Sequence, residues 1–521
     1  MVKINPNLPP LHFFVDRNAS VYPNKKAIVT EKTKRTYKEL NENSIRLANA
    51  LLSLGIKKGD HVAFLARNCV EYGEVVFGLS RIGAVIVPIN FRLMPDEICH
   101  IINHSDSRAL IFSNEFSDTV KKVIPSLPKD FLYISFGGTD LSAAYSYEEL
   151  IETSSINPPD IEVSGTDLFA IMYTAGTTGR PKGVMFSHNS RILNSLKAIE
   201  CGLNETSILA TMSPMYHVAG GHTMFLSCMI TGATIVLSRA FTEKEFVELL
   251  EREKVTILYI VPVLIRRLIN YLKSCERRYD LSSLRAIWFG AEICPEEYKR
   301  ELMKMFPNVE LVDMYGLTEG GPLSGTRYSL SRHGPRKTQS IGLPFIGSEF
   351  KVVDESGREV RPGEIGEILV RGVGVMEGYY KDPEKTRQTV TDDGWIRTGD
   401  LGTYDEDGFL YIVGRKDDMI ISGGENIYPR EIEDILLKHP KVHEVAVVGV
   451  KDEVWGERPV AIIVPKQGEK LSEDEIMKFA RERLAGYKRP KFVRIVDSLP
   501  KSDAGKVLRR ELRKMIEEGR L

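Results

Sequence analysis

The sequence predicts an α/β protein in two domains: a large N-terminal domain of layered α/β subdomains with a small barrel-like β subdomain, then a small α+β domain. Three observations carry this expectation. Strand-like and helical runs alternate up to about residue 340, short strands and glycine-rich turns follow, and a self-contained set of elements comes after Gly414-Arg415-Lys416-Asp417-Asp418. At 521 residues the chain exceeds what one hydrophobic core serves, and the charged stretch is read as the boundary, giving domains 1–414 and 415–521.

Thr36-Tyr37-Lys38-Glu39 has the spacing of a capping box, and Leu40, Leu47, Leu51 and Leu54 then mark one helical face that Gly55 ends. Strands are expected at 61–65, 84–88, 109–112, 208–212, 233–237 and 257–261, and their alternation with helices argues for parallel sheet. Residues 350–353, 366–370 and 409–413 read as the small β region. In the last domain a proline-initiated helix places Ile432, Ile435 and Leu436 on one side. Strands at 445–450, 460–464 and 492–496, a capped helix at 472–484 and a basic helix from Val507 complete it.

An apolar fraction of 42% against 27% charged residues describes an ordinary soluble globular protein, and a net charge of −1 gives no reason to expect nucleic acid. Cys69, Cys99, Cys201, Cys228, Cys275 and Cys294 include no CxxC pair, which fits reduced thiols in a cytoplasm better than disulfides or a zinc site. The N-terminus lacks the apolar core of a signal peptide. No apolar run approaches the ~20 residues that span a bilayer, the run 75–89 being broken by Arg81. Peripheral membrane contact stays open, as does the oligomeric state, with a homodimer among the options.

The most informative stretch is Tyr173-Thr174-Ala175-Gly176-Thr177-Thr178-Gly179-Arg180-Pro181-Lys182-Gly183, directly after an apolar run. Its glycines let backbone N–H groups turn toward one point, its threonines add donors, and Arg180 and Lys182 add positive charge, a combination suited to a polyphosphate. It is not a Walker A loop: Gly183 follows Lys182, and Pro181 biases Arg180 away from helix, so no helix should start at Lys182.

This loop resembles the phosphate loop of the adenylate-forming superfamily, which includes acyl- and aryl-CoA synthetases, firefly luciferase and peptide-synthetase adenylation domains. Ala175 stands where the family usually carries Ser, so one hydroxyl donor is missing. The resemblance spans nearly the whole chain. It implies phosphate contacts from Thr174, Ala175, Gly176, Thr177, Thr178, Gly179 and Lys182.

Met314-Tyr315-Gly316-Leu317-Thr318-Glu319-Gly320 resembles the family's second core motif. There the Tyr315 position stacks on adenine beside Gly316, Thr318 lies by the α-phosphate and Glu319 holds Mg²⁺, a hard ion that takes carboxylate and phosphate oxygens. Gly290-Ala291-Glu292 corresponds to the segment passing the adenine edge. Trp395-Ile396-Arg397-Thr398-Gly399-Asp400 resembles the ribose segment, Asp400 accepting from both sugar hydroxyls and Arg415 adding a second nucleotide contact. Alone, Asp400 reads equally as a turn residue.

Lys506, in the C-terminal motif Leu499-Pro500-Lys501-Ser502-Asp503-Ala504-Gly505-Lys506, matches the family's adenylation lysine. Its ammonium would offset the repulsion between an attacking carboxylate and the α-phosphate; without the other motifs it reads as the start of a solvated basic helix. Gly424 corresponds to the glycine that leaves room for the pantetheine arm of coenzyme A. Trp455, Tyr487, Arg489 and Lys491 resemble positions contacting the CoA nucleotide, although exposed aromatics also simply pack on helices. Arg92 is a further phosphate candidate. Asp417 falls at the hinge about which the small domain of these enzymes rotates between half-reactions.

Pro214-Met215-Tyr216-His217-Val218-Ala219-Gly220-Gly221 matches the wall of the acid pocket, with His217 as a gate or wall residue. No aspartate stands here to pair with an α-ammonium, which argues against amino acids. Gly220 and Gly221 add no side-chain bulk, which is compatible with a long acyl channel, and a bulky aryl acid could use the same space. The resemblance thus implies an ATP-, Mg²⁺- and CoA-dependent acyl-CoA synthetase for a medium- or long-chain fatty acid. The alternatives are an aryl or short-chain acid, transfer to a carrier protein, and an inactive nucleotide-sensing protein.

Overall fold

The structure is a computed structural model describing residues 8–138, 141–174, 181–239, 242–328, 337–423, 425–501 and 507–521. It comprises two compact units, residues 1–349 with 370–396, and residues 350–369 with 397–521. The boundary read at residue 414 falls inside the second unit, near the end of the strand Leu410–Arg415.

Two sheets build the first unit. One runs in the spatial order Gly378–Tyr379, Lys182–Ser187, Leu168–Thr174, Val85–Pro88, His61–Leu65, Ser107–Ser113, Leu132–Phe136, Ala144–Ser146. From Leu168–Thr174 onward its neighbours are parallel, as the alternation predicts. The other runs Leu343–Pro344, Gly321–Tyr328, Glu310–Leu317, Ala286–Gly290, Ile257–Tyr259, Ile208–Thr211, Thr234–Leu237, Lys26–Val29, Lys34–Thr36, again with a parallel centre. Every residue of His61–Leu65, Val85–Pro88, Thr234–Leu237 and Ala286–Gly290 is buried. Helices cover both faces of such strands, which is why they read as unbroken apolar runs.

The capping box is present: Thr36 Oγ1 accepts from the Glu39 N–H at 3.2 Å, and the Glu39 carboxylate accepts from the Thr36 N–H at 2.7 Å. The helix Tyr37–Ser53 buries Leu40, Leu47 and Leu51. Two features were not foreseen. Leu168–Thr174 turns back antiparallel into Lys182–Ser187, and Glu310–Leu317 turns back into Gly321–Tyr328. Each parallel sheet therefore ends in a hairpin, and each hairpin carries one of the two core motifs.

Residues 350–353, 366–369, 397–404 and 410–415 of the second unit lie in a four-stranded sheet, in the order Ser348–Val353, Gly366–Gly372, Ile396–Tyr404, Leu410–Arg415, where the small β region was expected. Its α+β part pairs Val442–Asp452 with Gly456–Pro465 as a long hairpin, flanked by Ile420–Ser422 and by the parallel strand Phe492–Ile495. These strands exceed the sequence reading because their polar ends still join the ladder, Glu444 opposite Val464 and Lys451 opposite Glu457, with a register irregularity at His443. Ile432, Leu436, Ile476, Ala480 and Val493 form the core beneath the helices Pro429–Leu436 and Glu473–Arg481. All six cysteines are free, and no helix among the described residues is long and apolar enough to cross a membrane.

One buried ion pair steadies the second motif strand. Lys299 Nζ lies 2.6 Å from Asp313 Oδ2, both side chains being almost fully buried, and Nζ also donates to the Thr338 carbonyl at 2.5 Å. Removing one partner strands the other charge in the core. Lys299→Met should cost about 3–5 kcal/mol of stability, with Lys299→Met/Asp313→Leu recovering much of it. Denaturant midpoints of the two variants check this.

Candidate active site

Thr174 ends its strand and pairs in register with Lys182, which opens the next one. Lys182 thus starts a strand and no helix, as Pro181 and Gly183 predict. Ala175, Gly176, Thr177, Thr178, Gly179 and Arg180 lie outside the described residues. Gly183 is required by packing, because a Cβ there would lie 2.7 Å from Ile171 Cγ2 and 3.2 Å from Tyr173 Cζ. Burial lowers the Lys182 pKa, the Lys385 cation adds to that effect, and the Asp382 and Glu319 carboxylates oppose it.

Glu319 stands on the turn of the second hairpin. Its Oε1 accepts from the Tyr379 hydroxyl at 2.6 Å, and its carbonyl accepts from the Met376 N–H at 2.7 Å. The Lys182 ammonium lies 5.7 Å from the centre of the same Tyr379 ring. One tyrosine therefore joins the loop lysine to the motif carboxylate, and the sequence reading missed it. The strand Gly378–Tyr379 is two residues long and sits some sixty residues past Glu319, so no local spacing marks it. The signal that could have found it is Gly378-Tyr379-Tyr380, a glycine and two aromatics before the proline-capped helix Pro383–Thr389. Below the turn, Asn194 Nδ2 donates to the Gly320 carbonyl at 3.0 Å. Magnesium suits this donor set, since it takes one or two carboxylates and fills its shell from phosphates and water.

Tyr315 is buried on its strand, with an irregularity between Tyr315 and Gly316 where Gly316 pairs with Pro322. Gly290 pairs with Met314 on the adjacent parallel strand, and a Cβ at Gly290 would lie 2.5 Å from the Met314 carbonyl oxygen. Ala291 follows at φ +68°, a left-handed conformation that costs a non-glycine residue energy. Gly290, Ala291 and Tyr315 thus gather at the carboxyl ends of neighbouring parallel strands, where open α/β sheets bind ligands. Thr318 stands on the same hairpin turn as Glu319.

In the second unit Asp400 and Arg415 are cross-strand partners. Arg415 donates to Asp400 Oδ1 at 2.8 Å and to the Thr398 carbonyl at 3.1 Å. Asp417 sits in a short 3-10 turn, Lys416–Asp418. Trp455 is half exposed, with Lys491 Nζ 5.5 Å from its ring centre. Gly423, at φ +62°, lets this indole close in: a Cβ there would lie 2.7 Å from Trp455 Cε3. Tyr487 is also largely exposed. Arg489 is engaged differently, donating to the Leu484 carbonyl at 2.9 Å and the Arg481 carbonyl at 3.0 Å at the end of a helix. Gly424 and Lys506 lie outside the described residues.

The acid-side segment holds a correction. His217 precedes a π-helix, Val218–Met224, and its ring lies 4.5 Å from that of Tyr216. Tyr216 meets Phe91 edge-on at 5.4 Å, and Arg67 and Arg92 stand over the Phe91 ring at 4.7 and 5.6 Å. Gly220 and Gly221 do not open a channel. A Cβ at Gly220 would lie 2.4 Å from the Pro214 carbonyl oxygen, and one at Gly221 would lie 2.1 Å from that of Met215 and 2.5 Å from the Tyr72 hydroxyl. These glycines let the wide helical turn back directly onto the chain that leads into it.

The joining of Lys182 to Glu319 through Tyr379, beside the strand ends that carry Gly290 and Tyr315, sets the geometry against which the comparisons with known proteins stand, and these define an enzyme that activates acids on ATP. The AMP-binding enzyme family matches residues 15–380 and the AMP-binding enzyme C-terminal domain matches residues 431–506; the chain belongs to this family. It is 36% identical over 499 residues to a feruloyl-CoA synthase of an Amycolatopsis species, covering 96% of this chain and 97% of that one. It is 36% identical over 508 residues to an indoleacetate–CoA ligase of Aromatoleum aromaticum, covering 96% and 97%. A solved anthranilate CoA ligase in complex with anthranoyl-AMP superposes with a TM-score of 0.90 at 29% identity, over 99% of this chain and 98% of that one. The chain is an AMP-forming acid–thiol ligase, working with ATP, Mg²⁺ and coenzyme A on a small-molecule acid.

Gly221→Ala separates packing from a channel role. It should destabilise the first unit by about 1–3 kcal/mol and lower activity toward all acids alike. A selective loss of longer acids, with the melting temperature unchanged, would restore the channel reading.

Proposed function

We propose that the chain activates a compact carboxylic acid, foremost an aryl acid, as its adenylate and transfers the acyl group to coenzyme A. The observation that carries this is the close packing of Gly220 and Gly221 on the Pro214 and Met215 carbonyls, beside the aromatic series Phe91, Tyr216 and His217. It removes the sequence argument for a fatty-acid channel and leaves a wall suited to a flat ring. The names of the relatives, which concern aryl acids, support the same reading. A fatty acid–[acyl-carrier-protein] ligase of Streptomyces coeruleorubidus, 34% identical over 502 residues, keeps carrier transfer and longer acids as outcomes to be tested.

In the first half-reaction the acid's carboxylate attacks the α-phosphorus of ATP, and the bond to pyrophosphate breaks. The loop from Thr174 to Lys182 would cradle the phosphates; Glu319 would hold magnesium, which supplies neutralising charge there. Tyr315 and the Gly290–Ala291 edge would flank adenine, with Thr318 by the α-phosphate. Asp400 would accept from the ribose hydroxyls, and Arg415 would add a nucleotide contact. Lys506 would place its ammonium between the two reacting anions. In the second half-reaction the CoA thiolate attacks the acyl carbonyl and AMP leaves. Rotation about Asp417 would bring Gly424 beside the pantetheine arm, and Trp455 with Lys491 would offer a ring and a cation to the CoA nucleotide. Tyr487 would add a second exposed ring. Arg489, committed to helix carbonyls, serves this site by fixing the turn that carries Tyr487.

A turnover panel of aryl, short-chain and long-chain acids, read as AMP release with CoA present, tests the substrate class. Aryl acids should give the highest kcat/KM, and a long-chain optimum would overturn the reading. Lys506→Ala should slow ATP–pyrophosphate exchange by about 100-fold or more while supplied acyl-adenylate is still converted to thioester. Gly424→Leu should do the reverse, sparing exchange and blocking transfer to CoA.

A further inference from the structure

We propose that Tyr379 is a positioning residue that orients the Glu319 carboxylate for its metal by holding one of its two oxygens. This rests on the reading of Glu319 as the magnesium ligand and deepens it. The same short segment grips Glu319 twice, through the Tyr379 hydroxyl at 2.6 Å and the Met376 N–H on the Glu319 carbonyl at 2.7 Å. The segment is itself fixed along the hairpin that presents Lys182. The Glu377 N–H donates to Met185 O at 2.9 Å, the Tyr380 N–H to Gly183 O at 2.8 Å, and the Tyr379 N–H to Thr386 Oγ1 at 2.9 Å. Tyr379 pairs with Val184 in register, and its ring is buried.

An ionised carboxylate only accepts hydrogen bonds, so a phenol on Oε1 leaves Oε2 turned toward any cation and stops the side chain from sampling other rotamers. Because Lys182 approaches the ring and not the hydroxyl, Tyr379→Phe removes the hydrogen bond while keeping the surface the lysine rests on.

The test uses the full-length protein with Mn²⁺ as the probe, free Mn²⁺ being followed by electron paramagnetic resonance during titration in the presence of ATP. Tyr379→Phe should weaken Mn²⁺ binding about 10-fold with an unchanged melting temperature, and should raise the metal concentration for half-maximal rate more than the KM for the acid. Glu319→Gln should weaken binding further, and Glu319→Gln/Tyr379→Phe should match Glu319→Gln alone. Unaltered Mn²⁺ affinity in Tyr379→Phe, with loss in Glu319→Gln, overturns the positioning role while sparing the metal assignment. An additive loss in the double variant also overturns it, since Tyr379 would then act elsewhere. Full Mn²⁺ affinity in Glu319→Gln removes the metal assignment and the proposal with it.

Discussion

The placement of Glu319 depends on one buried side chain, Asn194. Two left-handed glycines close on it: Gly321 at φ +65°, where a Cβ would lie 2.1 Å from Asn194 Nδ2, and Gly374 at φ +84°, where one would lie 2.7 Å from Asn194 Cβ. Its amide donates to the Gly320 carbonyl, and Arg191, one helical turn away, donates to the Gly374 carbonyl. Arg191 is fully buried over the Phe186 ring at 3.8 Å, and burial pulls its pKa down to about 9. The helix His188–Glu200 thus turns a polar face inward. The Gly320 and Gly374 carbonyls are thus held from one helix, which ties the turn to the strap before Tyr379.

Much of this molecule is legible in the chain because local and global preferences agree. Thr36 and Glu39 sit at the spacing a helix start requires, and the apolar runs of the parallel strands are long because both faces are covered. Pro181 and Gly183 announce that Lys182 begins a strand. What stayed hidden is non-local. The antiparallel return of Gly321–Tyr328 and the joining of Tyr379 to Glu319 are made by pairing between distant segments, which no window of sequence contains. Gly220 and Gly221 misled for a related reason: absence of a side chain reads as space, whereas here carbonyl oxygens take that space. Arg489 shows the same limit, since a cation in a basic stretch does not disclose that its donors end a helix.

The second unit applies a different rule. Asp400 and Arg415 pair across two strands, so the mostly buried carboxylate has its partner within 2.8 Å. A ribose reaching Asp400 would meet a group already oriented by its partner, so less ordering accompanies binding. Trp455 is held in a comparable way, its ring seated on Gly423 and its backbone N–H donating to Asp452 Oδ1 at 3.0 Å.

The π-helix Val218–Met224 has a consequence for how this protein can change. A π turn holds one more residue than an α turn, so losing a single residue would let the segment rewind as an α turn and re-aim what precedes it. Tyr216 and His217 lie immediately upstream. The orientation of these two rings can therefore be reset by a one-codon deletion as well as by exchanging a side chain, and length variation at this point is where divergence among homologous chains should be sought.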